Sequence, residues 1–130
     1  MKESTNLQII RNTYKSPDHL IKALSKKVEW TEAAGFLYGG TYIGIEAVIE
    51  NVFSRLASEW NDFKASVHTY HEVNSKEIII AEGIYSGVYK ETGKAFQADF
   101  VHVWEIRNRK VVRFKQYVDS HTVQKALISS

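Results

Sequence analysis

An α+β fold, helices first and a curved antiparallel sheet after them, follows from three features of the sequence. Apolar residues recur every three to four positions as far as Leu56, the period of helices with one buried face. From Phe63 onward β-branched and aromatic residues dominate, broken by short turn signals. The 130 residues, 44% of them hydrophobic, suffice for one core, so residues 1–130 are expected to form a single domain. Helices followed by a meander of strands is the order of an α+β domain.

Each element has its own local cause. Ser4 or Thr5 can cap a first helix whose stripe is Leu7, Ile10 and Tyr14. Ser16, Pro17 and Asp18 open a second, with proline where no amide donor is required; Leu20, Ile21 and Leu24 share one face and the end falls near Lys26. A short β-like stretch, Val28 to Thr31, leads into the loop AAGFLYGGTYIG, whose glycines disfavour both helix and regular strand, and which reads as a pocket rim or lid. Ile45, Val48, Ile49, Val52, Phe53 and Leu56 give a third helix facing the core. Four strands follow, at about Phe63 to Val73, Glu77 to Tyr89, Lys94 to Ile106 and Val111 to Asp119, and a short helical tail runs from Thr122 to Ile128. Gly83 and Gly87 interrupt the second strand and predict bulges or bends. Three helices against one face of such a sheet make a cone with an open mouth, and the other face stays free for a partner subunit.

Several function classes lose support. Lys+Arg 17 against Asp+Glu 15 leaves a net charge of +2, far from a surface that tracks a phosphate backbone, so no nucleic-acid partner is expected. The basic cluster Arg107, Arg109, Lys110, Arg113 and Lys115 reads as the solvated tip and outer row of a hairpin. The longest uncharged stretch, Ala33 to Ile45, is too short to cross a bilayer, and the polar start MKESTNLQII lacks the apolar core of a signal peptide; a cytoplasmic location is expected. The absence of cysteine excludes thiol catalysis, disulfides and Cys-ligated zinc. Glycines 35, 39, 40 and 44 fit neither the dinucleotide fingerprint nor the P-loop. His68 and His71, three apart on a strand, face opposite ways and cannot readily share a metal, so neither metal nor cofactor is expected.

Three polar residues stand out. On the third strand Phe96, Ala98, Phe100, His102 and Trp104 share a face, and an imidazole held there loses water, which lowers its pKa and favours the neutral form. The same pattern also suits a structural histidine with one satisfied hydrogen bond. Asp119 either caps the helical tail or reaches into the cone from the end of the last strand. Glu32 lies on the same side of an extended stretch as Trp30 and enters the aromatic loop, as a site carboxylate or an exposed one. Trp30, Phe36, Tyr38, Tyr42, Phe53, Trp60, Phe100, Trp104 and Phe114 are the candidates to line the cavity around a small apolar molecule.

The run from Val28 through VEWTEAAGFLYGGTYIGIEAV, then EWNDF from Glu59, GIYSG from Gly83, TGKAF from Thr92 and HVWEIRNRKVVRFKQYVDS from His102, resembles the SnoaL-like, ketosteroid isomerase-like branch of the nuclear transport factor 2 superfamily. The resemblance implies a conical, cystatin-like α+β barrel, a deep apolar pocket and a homodimer packed through the outer sheet faces. It places Glu32 at the general-base aspartate of ketosteroid isomerase and His102 at that enzyme's protonated oxyanion-hole aspartic acid. The oxyanion-hole tyrosine has no match: an ungapped reading puts Gln8 there, with Tyr14 a turn and a half later. Asp119 in YVDS resembles the acid-base aspartate of SnoaL-type polyketide cyclases. The implied chemistry is cofactor-free acid-base catalysis of the isomerase, cyclase or lyase type, with a non-catalytic binder or a dimerisation module as the alternatives.

Overall fold

The computed structural model describes residues 3–129. Helix α1 (Thr5–Thr13) begins where the Ser4 side chain accepts the amide of Leu7, and α2 (Pro17–Ala23) where Ser16 accepts that of His19. The chain turns directly into strand β1 (Leu24–Glu32), so the second helix ends three residues before Lys26 and the strand is longer than the Val28 to Thr31 stretch suggested. Its inward row is Val28, Trp30 and Glu32.

The glycine-rich loop departs from expectation, because Gly40–Ile43 forms strand β2, hairpin partner of β1. Glycine permits this strand instead of preventing it. A Cβ on Gly39 would stand 2.6 Å from the Ala33 carbonyl oxygen, and Gly40 has φ +135°, so the tight return into the hairpin needs both. The third helix is present as α3 (Ile45–Val48), a π-helical turn over Ile49–Phe53 and α4 (Ser54–Glu59). The π turn, which periodicity does not reveal, carries Val52 and Phe53.

Strands β3 (Trp60–Val73), β4 (Ile78–Tyr89), β5 (Ala95–Arg107) and β6 (Lys110–Val118) match the four expected, and α5 (Ser120–Leu127) is the tail. The sheet order is β2-β1-β6-β5-β4-β3. The expected all-antiparallel sheet is corrected here: β1 runs parallel to β6, pairing Trp30 with Phe114, which makes the sheet mixed. Its edges are β2 and β3, so the curved sheet stays open and does not close as a barrel. The pairing of β1 with β6 is a long-range event that no local pattern near residue 28 announces.

The bulges predicted from Gly83 and Gly87 lie opposite them, on β3. Register shifts between Asn61 and Lys64 and between Val67 and Thr69 give β3 an extra residue at each point. A Cβ on Gly83 would come within 2.3 Å of the Ser66 carbonyl oxygen and 2.5 Å of the Phe100 ring, so the bulged strand presses against a backbone that has no side chain. The concave face and the helices then enclose one buried cluster containing Ile10, Val28, Val48, Ile79, Trp104 and Phe114. No helix among the described residues is long and apolar enough to cross a membrane.

Candidate functional site

A cavity of about 870 Å3 opens between the concave sheet face, the end of α1, the start of α2 and the π turn. That size suits a small organic molecule. Aromatic rings form much of the wall. Trp30 stacks on Phe114 at 3.7 Å between centroids, while Trp104 meets Phe114 edge-on at 4.6 Å and Phe53 meets Trp30 edge-on at 5.2 Å. Cross-strand pairing accounts for the first two contacts, since Phe114 on β6 lies between Trp30 on β1 and Trp104 on β5. Exposed Lys15, Ser54, Asp62 and Lys64 mark the open side.

His102 sits at the polar end, 4% exposed, paired across the sheet with Ala81 on one side and Gln116 on the other. The small side chain of Ala81 leaves room for the ring. Its Nδ1 is 2.6 Å from the Tyr14 hydroxyl and its Nε2 is 2.5 Å from the Tyr85 hydroxyl. Both nitrogens are therefore engaged by tyrosines, and burial pushes the imidazole pKa down to about 3, so the ring is neutral at physiological pH.

Each tyrosine oxygen also receives an N–H. The Trp104 indole donates to Tyr14 at 2.9 Å, and the Gln116 amide donates to Tyr85 at 2.9 Å. Burial raises both phenols well above their ordinary pKa, so both keep their protons; once Glu32 ionises at alkaline pH, its carboxylate reinforces the rise at Tyr85. Gln116 is oriented by the Ala33 amide, which donates to its Oε1 at 3.1 Å and so turns its nitrogen toward Tyr85 and, at 3.4 Å, toward Glu32 Oε1.

Glu32 is 4% exposed and its other oxygen accepts the Trp30 indole N–H at 3.0 Å. Burial pushes its pKa up to about 8 despite that hydrogen bond, so the carboxyl group is mostly protonated at neutral pH. An unbroken hydrogen-bonded path thus runs along the wall: Trp104, Tyr14, His102, Tyr85, Gln116, Glu32, Trp30. Among the described residues no buried side-chain nitrogen or oxygen lacks a partner.

Of the residues singled out from sequence, Glu32, His102, Trp30, Phe36, Phe53, Trp60, Trp104 and Phe114 line this cavity. Three do not. Asp119 is exposed and caps α5, accepting the Thr122 amide at 3.2 Å and its hydroxyl at 2.6 Å; these bonds hold its pKa below the usual range, and the structure does not bring it to Glu32 or His102. Tyr38 hydrogen-bonds Glu59 at 2.7 Å and receives the Trp60 indole N–H at 3.1 Å, behind the wall. Phe100 stacks on His102 at 4.1 Å and on Tyr85 at 4.3 Å, fixing both rings from behind.

Tyr14, Tyr85 and Gln116 carry site positions that sequence reasoning did not assign. Tyr14 belongs to the apolar stripe of α1, Tyr85 to the inward row Ile79, Ala81, Gly83 of β4, and Gln116 is the one amide in the inward row of β6. A polar tip at an inward position of an otherwise apolar row was the available signal. No group of three or more potential metal ligands occurs among the described residues.

Residues 13–114 match the family described as the SnoaL-like domain. No curated protein matches the chain. Among solved structures, an NTF2-like protein from Burkholderia thailandensis is 33% identical, with a TM-score of 0.90 over 97% of this chain and 99% of that one. TerC, co-crystallized with polyporic acid, is 19% identical with a TM-score of 0.83 over 95% and 98% of the two chains. A protein of ketosteroid isomerase-like fold from Catenulispora acidiphila, in complex with trimethylamine, is 14% identical with a TM-score of 0.78 over 92% and 91%. The last two likenesses are of fold alone.

Proposed function

The chain belongs to the SnoaL-like domain family, and we propose that its cavity binds a small, apolar, carbonyl-bearing molecule and moves a proton on it with the chain's own side chains. The observation that carries this reading is the joining of a buried, proton-holding Glu32 to a neutral His102 through hydrogen bonds on the wall of one aromatic cavity. Perturbed acids and bases gathered in a cavity are the usual mark of proton-transfer chemistry. Glu32 is the group that exchanges a proton with a carbon next to the carbonyl, as in an isomerase or a polyketide cyclase-like reaction. Whichever of Tyr14 and Tyr85 keeps its hydroxyl proton free of the His102 ring donates it to the developing oxyanion, since both ring nitrogens of His102 are already engaged by the two tyrosines.

The protein carries its own reporter, because all three of its tryptophans, Trp30, Trp60 and Trp104, line the cavity. Neutral aromatic ketones such as α-tetralone are expected to quench their fluorescence saturably. Exchange of the tetralone α-protons with D2O, followed by NMR, is expected to quicken with pH and level off above about 8 as Glu32 ionises. Glu32→Gln should slow it by roughly 10²–10⁴-fold with the fold intact. Saturable quenching without exchange would leave the second reading, a non-catalytic binder, which is favoured by the way Trp30 and Gln116 occupy both oxygens of Glu32. Neither quenching nor exchange by any neutral ketone would remove both.

We also propose a homodimer through the outer face of the sheet, where Ile84 and Tyr117 remain 37% and 50% exposed.

A further inference from the structure

Counting protons around His102 yields a property that neither the family nor the proposed reaction requires. Tyr14 and Tyr85 each bring one hydroxyl proton and the neutral imidazole brings one N–H, three in all. The two contacts, Tyr14 to Nδ1 and Tyr85 to Nε2, consume one proton each. One hydroxyl proton is left over. Lone pairs count the same way: the two phenol oxygens offer four, taken by the Trp104 indole, the Gln116 amide and the single imidazole N–H, which leaves one.

The surplus donor and the surplus acceptor cannot sit on the same tyrosine. The tyrosine that receives the imidazole N–H has both lone pairs filled and its own proton free. The other spends its proton on the bare ring nitrogen and keeps a free lone pair. Both residues lie on the cavity wall, on opposite sides of one ring.

We propose that Tyr14, His102 and Tyr85 form a reversible proton relay that offers a ligand one hydrogen-bond donor and one acceptor, and that the two roles exchange whenever His102 changes tautomer. The ligand class that fits carries a carbonyl oxygen and an enol hydroxyl conjugated with it through a carbon–carbon double bond, one oxygen for each tyrosine, so that the electron pair left by the departing proton shifts through the conjugated system to the other oxygen. In one turn of the relay the ligand hydroxyl gives its proton to Tyr85, whose own proton passes to Nε2. The proton on Nδ1 passes to Tyr14, whose hydroxyl proton goes to the ligand carbonyl. Four O–H or N–H bonds form and four break, no charge appears, and the ligand leaves as its tautomer with His102 in the opposite form. Tyr14 and Tyr85 touch the ligand; His102 acts through them. Burial favours a neutral ring throughout, which keeps the relay from being short-circuited by an imidazolium.

The ligand class rests on the proposed proton-transfer function, whereas the tautomer exchange is measurable without any ligand. Nitrogen-15 NMR of histidine-labelled protein distinguishes Nδ1–H from Nε2–H. In the wild-type protein the His102 nitrogens are expected at exchange-averaged positions between pH 5 and 9. Tyr14→Phe removes the partner of Nδ1, so the N–H should settle on Nε2, facing Tyr85; Tyr85→Phe should drive it to Nδ1. If either phenylalanine variant fails to fold, Trp104→Phe should shift the population toward Nδ1–H by freeing a lone pair on Tyr14, and Gln116→Met toward Nε2–H. A wild-type ring fixed in one tautomer, as a purely structural histidine would be, overturns the relay, as does the same tautomer in both members of a variant pair. That failure would leave ketone binding and Glu32-dependent exchange untouched, and failure of those would leave the tautomer result standing.

Discussion

Glu32 and His102 pull the pH dependence of stability in opposite directions. The pKa of Glu32 rises from an ordinary 4.5 to about 8 on burial, so between those values the folded state holds a proton that the unfolded chain has lost, and stability falls as pH rises. The pKa of His102 falls from 6.5 to about 3, so between those values the unfolded chain holds the extra proton, and stability falls as pH drops. From 4.5 to 6.5 the two slopes cancel. We predict a stability plateau there, with a decline of about 1.4 kcal/mol per pH unit above it, up to roughly pH 8, from Glu32 alone. Glu32→Gln should abolish the alkaline decline and uncover a rise with pH between 4.5 and 6.5, read by urea midpoints; an unchanged alkaline decline would show that Glu32 is not the protonated group. Both residues were legible in the sequence, because a charged or titratable side chain in an aromatic row draws notice. Tyr14, Tyr85 and Gln116 were not, because a tyrosine or glutamine in such a row satisfies the same pattern as plain core, and only the three-dimensional meeting of α1, β4, β5 and β6 shows their polar tips converging.

Element by element, regular segments were readable and irregular ones were not. The strands β3 to β6 and the caps Ser4 and Ser16 follow from alternation and local hydrogen bonding, which act within a few residues. The pairing of β1 with β6 and the π turn depend on what packs against them. Gly83 shows how a local signal can have a distant cause: the glycine is on β4 and the bulge it accommodates is on β3. Gly83→Ala would force its Cβ into the Ser66 carbonyl, which is backbone and cannot yield easily, and into the Phe100 ring that supports His102 and Tyr85. We predict a loss of about 1–3 kcal/mol or more in a denaturant titration, typical of overpacking, together with disturbed His102 NMR signals. Asp119→Ala tests the opposite placement. Because Asp119 only caps α5, the variant should melt at a lower temperature while ketone quenching stays as in the wild type; lost quenching with a normal melt would bring Asp119 back to the cavity.

At the scale of the molecule, the sheet has one face committed to the cavity and another whose composition asks for cover. Ile80 pairs with Val103, and Val101 with Tyr117, so their side chains form adjacent rows across β4, β5 and β6, with Ile84 farther along. Monomers rarely leave such a contiguous apolar surface to water, and a two-fold axis through it would let each residue meet its own copy. The polar residues there are compatible with that arrangement: His71 and Glu82 already pair at 2.5 Å, and Lys115 lies over the Tyr117 ring at 5.1 Å. Light scattering of the wild-type protein at micromolar concentration should therefore give twice the 14.9 kDa chain mass. Val103→Glu is the discriminating variant, because Val103 pairs across the strands with Lys115, which can partner the new carboxylate within one chain. The substitution should leave the fold and the tryptophan response to ketones intact while placing two carboxylates near the dimer axis, and the mass should fall to that of one chain. A wild-type monomer would overturn the dimer. A Val103→Glu protein that remained dimeric would move the interface away from this face, leaving the exposed Ile84 and Tyr117 in need of another partner.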